Sequence, residues 1–360
     1  MAADSSPSPG GRITLATGNW RGLLRWDSAL VVALAAVFVL GISISPQFTS
    51  SYNLFTTSTN IGDLAIIALP MTLIVITGEI DLSVASILAL SAELMGDLWL
   101  HHWAMPLIIV LCLAMGVVAG AINGFLVTRV GLPSLAVTIG TLTLYRGLAN
   151  VVLGPLSVSN FPGSLTSVGI NGFLGIPSIS WSLAIFALLA IATGVMLKLS
   201  PLGRSLYAIG LNQEAAFHAG IRVKRIKLSL FVLSGFICAA VGMLYAFELS
   251  SAAENIGIGF ELQVVTIVLL GGVSIFGGRG GILGVVLAAL IYALLRSALL
   301  LTSSFNENDF QVVSGGLLIL SVLVPNLAEF GRRGRELMTR RGRGTGGTGA
   351  SPAAEPTADV

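Results

Sequence analysis

Charge is scarce in this chain. Asp, Glu, Lys and Arg together make up only 10% of its 360 residues, against 54% hydrophobic residues, a balance that excludes a water-soluble globular domain of this length. Cysteine is nearly absent. The two present, Cys112 and Cys238, both lie inside apolar runs, so neither a disulfide framework nor a zinc-ligand spacing is available. A phosphate-cradling loop needs Gly-Lys followed by Ser or Thr, and the glycine cluster of this chain reads Gly278-Arg279-Gly280 instead; nucleotide chemistry therefore has to reside on another polypeptide. What is present is apolar surface, with a mean hydropathy of +0.91.

Cutting the sequence wherever turn-forming or polar residues interrupt a run able to cross the hydrocarbon, which needs about 20 residues, predicts an all-α polytopic membrane protein of about ten transmembrane helices. The spans fall near 29–45, 54–77, 83–100, 105–128, 134–154, 181–199, 228–249, 262–276, 282–301 and 310–330. The eighth is short for a straight crossing and is expected to tilt or to run into the glycine-rich turn after it. The first follows a polar leader and has no small-residue cleavage pattern before Pro46, so it reads as a span rather than a removed signal.

Basic residues fix the orientation. With both termini cytoplasmic, 17 of the 19 Lys and Arg residues fall in inner segments, including Arg129, Lys198, Arg204, the cluster Arg222 to Lys227, Arg279 and the tail arginines from Arg332 to Arg343. The exceptions, Arg146 and Arg296, lie within spans, while Glu254, Glu261, Glu307 and Asp309 fall outside. That asymmetry is the positive-inside pattern. Residues 1–28 and 331–360 have the composition of disordered cytoplasmic tails flanking a transmembrane domain at 29–330. The arginines around Arg332 are read as anchors on anionic membrane lipid rather than as a nucleic-acid site.

Between two apolar runs sits a polar island at 200–227, and residues 204–221 are expected to form one helix along the cytoplasmic surface, able to dock a soluble partner. A second distinctive stretch, Thr77-Gly78-Glu79-Ile80-Asp81-Leu82-Ser83-Val84-Ala85-Ser86, joins the second and third spans. Carboxylates at membrane depth are costly unless they face a cavity or find partners. Asp81 or Ser83 has the chemistry to cap the next helix, with Gly78 allowing a sharp turn. The other reading is a broken helix lining a translocation path, with Pro70 marking a discontinuity upstream; the two readings are compatible.

Deeper in the spans, Glu93 and Asp97 share one helix face, and Arg146 is the candidate partner for a buried ion pair. His101 and His102, beside Trp99 and Trp103, read as an interfacial belt more simply than as metal ligands with Glu93 and Asp97. Tyr145, Asn123 and Asn150 offer hydrogen bonds that no spacing argument selects.

Three motifs carry a family resemblance. Glu214-Ala215-Ala216, followed by Gly220, resembles the EAA loop of ATP-binding-cassette import permeases. Gly78-Glu79-Ile80-Asp81-Leu82-Ser83 is similar to the Gly-Gly-Ile-Asp-Leu-Ser signature of permeases of the ribose, xylose, rhamnose and autoinducer-2 type, with Glu79 at the second glycine. Leu270 to Gly281, ending Gly277-Gly278-Arg279-Gly280-Gly281, is similar to a glycine-rich segment of the same family.

The resemblance covers roughly 50–325. It implies a non-catalytic permease of an ATP-driven importer without a cofactor of its own, which carries a monosaccharide or small polyol delivered by an extracytoplasmic solute-binding protein. It also implies a cytoplasmic ABC ATPase and a second permease subunit as partners. ATPase coupling would rest on Arg204, Glu214, Ala215, Ala216 and Gly220, with Gly220 small so that the two chains approach closely. The path would rest on Gly78, Glu79, Asp81, Ser83 and Ser86, and a structural turn on Gly277, Gly278, Arg279 and Gly280. The alternatives are an ion-coupled secondary transporter, kept open by Asp81, Glu93 and Asp97, and a branched-chain amino-acid permease.

Overall fold

The computed structural model describes residues 20–323, with side chains from Trp26 onward. The stretches 1–19 and 324–360, with most of both expected tails and the arginines from Arg332 to Arg343, lie outside the described residues. The architecture is helical: α1 (Trp20–Ile44), α2 (Ser51–Ile76), α3 (Val84–Leu100), α4 (Met105–Phe125), α5 (Ser134–Leu153), the single turn α6 (Gly163–Thr166), α7 (Trp181–Leu199), α8 (Pro201–Leu211), α9 (Gln213–His218), α10 (Val223–Glu248), α11 (Phe260–Leu270) and α12 (Ile282–Leu300), then α13 over 307–323. Two three-residue strands, β1 (Ser157–Ser159) and β2 (Ser251–Ala253), pair antiparallel. Seven of the helices are long and apolar enough to cross a membrane, by length and composition. The other three expected spans also hold helices: α3 with 17 residues, α11 with 11, and α13.

Local chemistry sets many of the helix starts. Ser50, Ser180 and Ser200 each accept an amide of the first turn of α2, α7 and α8, at 3.2, 3.1 and 3.1 Å, which occupies donors that the helix itself leaves free. Three sequence expectations need correction. Helix α1 begins at Trp20, so residues 20–28 belong to it and not to a tail. Pro70 does not interrupt α2, which runs on to Ile76. The eighth span is shorter than the apolar run suggests, because Gly271 and Gly272 end α11 and the chain continues as non-helical backbone to Gly281.

Helix α2 forms the centre of the molecule, and every residue from Ile61 to Ile76 is buried. It packs against α7, α10, α11 and α12, while α10 packs most extensively on α4. That pairing depends on small residues: Gly235 of α10 meets Gly116 and Gly120 of α4, where an added Cβ would collide with backbone. Lipid tails are as apolar as leucine, so helices of this kind associate through close van der Waals contact, which small residues permit.

Candidate functional site

The loops sort into two ends. At one end, three segments converge: the α2–α3 break (77–83), the α11–α12 break (271–281) and α8. The Gly278 amide donates to the Ile76 carbonyl at 2.8 Å, Tyr207 of α8 donates its hydroxyl to the Gly280 carbonyl at 2.8 Å, and Gly210 of α8 is wedged between Ile76 and Gly278 with no room for a side chain. Burial pushes the Tyr207 phenol above its ordinary value, which keeps it protonated and a donor. Gly277, Gly278 and Gly280 have φ of 81, 71 and 129°, a region open to glycine, so the chain turns here through its backbone. The Ser274 amide donates to the Arg279 carbonyl at 3.1 Å, closing that turn.

The α2–α3 break is held differently. Asp81 Oδ1 accepts the Ser83 amide at 3.1 Å and the Ser83 hydroxyl at 2.6 Å, and Oδ2 accepts the Ser234 hydroxyl of α10 at 3.0 Å. Asn123 of α4 donates to Ser83 Oγ at 2.7 Å, and Ser86 donates to the Ser83 carbonyl at 2.8 Å. Asp81, Ser83, Ser86, Asn123 and Ser234 are all fully buried. The side chain that organises the start of α3 is therefore Asp81, and Ser83 makes no capping bond of its own. Ile80 is tied to α5 through Ser134 and Thr138. Glu79 turns away from this knot and pairs with Lys227 at 2.6 Å.

The polar island folds as two helices rather than one. Asn212, at φ −160°, breaks the run, and its side chain caps α9 by accepting the Ala215 amide at 2.9 Å. Glu214, Ala215, Phe217 and Arg204 are exposed, while Ala216 is buried on Ile209 and Val223. Gly220 has φ of 84° and closes α9: its amide donates to the Phe217 carbonyl and the Ile221 amide to the Ala216 carbonyl, a Schellman ending that favours glycine. Gln213, Glu214, Phe217, Val223 and Lys224 line a shallow hollow of about 360 Å³ beside it.

Other sequence candidates fare less well. Arg146 donates to the Ile256 carbonyl and does not form the expected ion pair, although Glu93 stands within its electrostatic reach. Glu93 is fully buried without a hydrogen-bond partner. Asp97 instead meets His101, one turn on, at 3.4 Å. Tyr145 is used by the Ala119 carbonyl and Asn123 by Ser83, which leaves Asn150 exposed. Arg296 pairs with Glu307 at the opposite end. Sequence reading missed Lys227, Gln213 and Ser234. It also missed Asp63, a fully buried carboxyl that lies beside Glu248.

The profile of a family described as "Branched-chain amino acid transport system / permease component" matches residues 53–322. The chain belongs to this family. Among curated relatives, the "Autoinducer 2 import system permease protein LsrC" of Salmonella paratyphi B is 30% identical over 299 residues, covering 83% of this chain and 85% of that protein. The "Ribose import permease protein RbsC" of Haemophilus influenzae is 34% identical over 303 residues, covering 83% and 91%. The LsrC protein of Escherichia coli is 33% identical over 295 residues, covering 82% and 84%. No solved structure matches. As a family member, the chain is a non-catalytic, multi-pass permease of the bacterial inner membrane.

Proposed function

We propose that this permease is the membrane subunit of an ATP-driven importer for a monosaccharide or related small polyol. A cytoplasmic ABC ATPase would bind the α8–α9 elbow, and an extracytoplasmic solute-binding protein would deliver the solute at the other end. One observation carries the reading: α8 is seated against both helix breaks through Gly210, while α9 beside it stands exposed. A docking surface is thus mechanically continuous with the two non-helical segments of the membrane domain. The ribose and autoinducer-2 import systems named for the relatives support the solute class.

In this reading ten helices cross the membrane and both termini are cytoplasmic. Arg129, Lys198, Arg204, Arg222 and Arg279 all belong to loops or helix ends on the α8–α9 side, whereas Glu254 and Glu307 belong to the opposite side. Glu214, Ala215 and Arg204 face the ATPase, Ala216 supports them from below, and Gly220 supplies the turn that lets the two chains approach. Of the expected path residues, Gly78 and Glu79 keep exposed surface and border the passage near its inner end, whereas Asp81, Ser83 and Ser86 are fully buried and hold its shape from behind rather than lining it. A second permease chain completes the pore. The face of α5 bearing Ala136, Gly140, Thr143, Gly147 and Asn150 is exposed, with open space at both glycines, and small or polar residues suit a helix-lined interface better than lipid. The exposed apolar residues of α1, α4 and α7 suit lipid.

Reconstitution tests the whole. Proteoliposomes holding the permease with its cognate ATPase and binding protein are expected to accumulate radiolabelled ribose or synthetic autoinducer-2 only when ATP is enclosed. Uptake of leucine alone would replace the solute class, and uptake driven by a sodium or proton gradient without the ATPase would overturn the importer reading.

A further inference from the structure

Lys227 is the fifth residue of α10, with only 5% of its surface exposed. Its ammonium donates to Glu79 Oε1 at 2.6 Å and to Gln213 Oε1 at 2.6 Å. The first acceptor belongs to the α2–α3 break and the second is the opening residue of α9. Among the described residues, no other side chain hydrogen-bonds to both segments. The remaining links between the elbow and the breaks run through α8, by Gly210 and Tyr207, so α9 itself reaches the break through this one cation.

The chemistry suits a link that carries force. An ammonium is a compact charge with three donors on a flexible stem. Two short charge-assisted bonds at one nitrogen, almost out of water, resist separation more than neutral bonds do. Glu79 is two residues from Asp81, whose three hydrogen bonds fix the start of α3 to α10 and, through Ser83, to α4. A displacement of Gln213 therefore pulls on a turn whose far side is anchored, and the turn must deform.

We propose that Lys227 is the positioning residue that transmits movement of α9 to the 77–83 break, converting a nucleotide-driven shift at the ATPase surface into a change at the inner end of the passage. This rests on α8–α9 being the ATPase contact.

Hydrogen exchange on the permease–ATPase complex in lipid nanodiscs tests it, by comparing the ADP-bound state with the state trapped by ADP and vanadate. In the natural protein the two states should differ in exchange both at 213–222 and at 77–83. In Lys227→Met the difference at 213–222 should persist, while that at 77–83 falls at least threefold; the exchanged pair Glu79→Lys with Lys227→Glu should restore it. A purely structural role would change exchange equally in both nucleotide states and leave the difference intact, which would overturn the proposal. Should Lys227→Met fail to reach the membrane, Gln213→Ala, at an exposed position, carries the same test: an unchanged difference at 77–83 overturns the proposal, and a severalfold loss supports it. Failure of the ATPase to protect 213–222 in the natural protein would instead remove the docking surface, and this proposal with it.

Discussion

The two helix breaks at the elbow end do the same job by opposite means. The 271–281 segment is shaped by its backbone: four glycines at positive φ, Gly272, Gly277, Gly278 and Gly280, a Ser274–Arg279 main-chain closure, and a glycine amide bonded to the end of α2. The 77–83 segment has one such glycine, Gly78 at φ 82°, and is otherwise held by one buried carboxylate that gathers two hydroxyls and an amide from the start of α3 and from α10. Glycines permit a turn without specifying what it touches, whereas Asp81 specifies three partners. A break held by permission can slide against a neighbour; one held by a side-chain knot moves as a unit. The contrast fits a division in which 271–281 is the bearing on which α8 rests and 77–83 is the part that is moved.

The largest effect should come where the two breaks meet. Gly210→Leu would drive a side chain into the Ile76 carbonyl and the Gly278 amide, and overpacking against backbone is expected to cost about 3 kcal/mol, read as a fall in the thermal unfolding midpoint in detergent. A midpoint equal to the natural protein's would mean that the breaks are not locked against α8. Next is Asp81→Ala, which leaves the Ser83 amide and the Ser83 and Ser234 hydroxyls without their buried acceptor, at about 2 kcal/mol. Asp81→Asn keeps an acceptor and should lose about half as much by the same reasoning. If both variants matched the natural protein in stability, the carboxylate would not be what holds the turn. The smallest is Tyr207→Phe, which removes one bond to the Gly280 carbonyl and is worth about 1 kcal/mol; proteolysis of 271–281 should quicken modestly, and a change as large as that of Gly210→Leu would show that this break also depends on a side chain.

Much of this was legible in the sequence because turn residues and apolar runs act locally. The expected spans 83–100, 134–154, 181–199 and 282–301 differ from α3, α5, α7 and α12 by a residue or less at each end, since Ser83, Pro133, Gly154, Ser180, Ser200 and Gly281 punctuate most of these boundaries. The Gly277 to Gly280 turn and an exposed Glu214 on a short surface helix were equally readable. The partner of Glu79 was not: Lys227 is 148 residues away and looks like one more cytoplasmic cation among Arg222, Lys224 and Arg225. The expected pair of Arg146 with Glu93 failed for the same reason. Helical spacing says which residues share a face, but nothing about the Ile256 carbonyl that captures the guanidinium. The elbow at Asn212 was missed because Leu206, Ala208 and Leu211 before it and Glu214 to Ala216 after it are good helix formers, and one asparagine with a suitable amide three residues on was enough to restart the helix.

The shortness of α11 bears on how the chain is made. Eleven residues of helix reach about 16 Å, roughly half of a hydrocarbon layer about 30 Å thick. In the ten-helix reading, the rest of that crossing is bare, irregular backbone from Gly271 to Gly281, which lipid does not tolerate. It becomes acceptable only once α8 and the end of α2 are in place to receive its amides and carbonyls. During synthesis, then, this segment cannot rest in the bilayer as an independent span; it has to enter together with α12 and find a cleft already built by the residues before it. The order of the polypeptide, with both receiving elements made first, suits that assembly, and a permuted gene that placed α11 and α12 ahead of α2 and α8 would leave the half-helix without a site to enter.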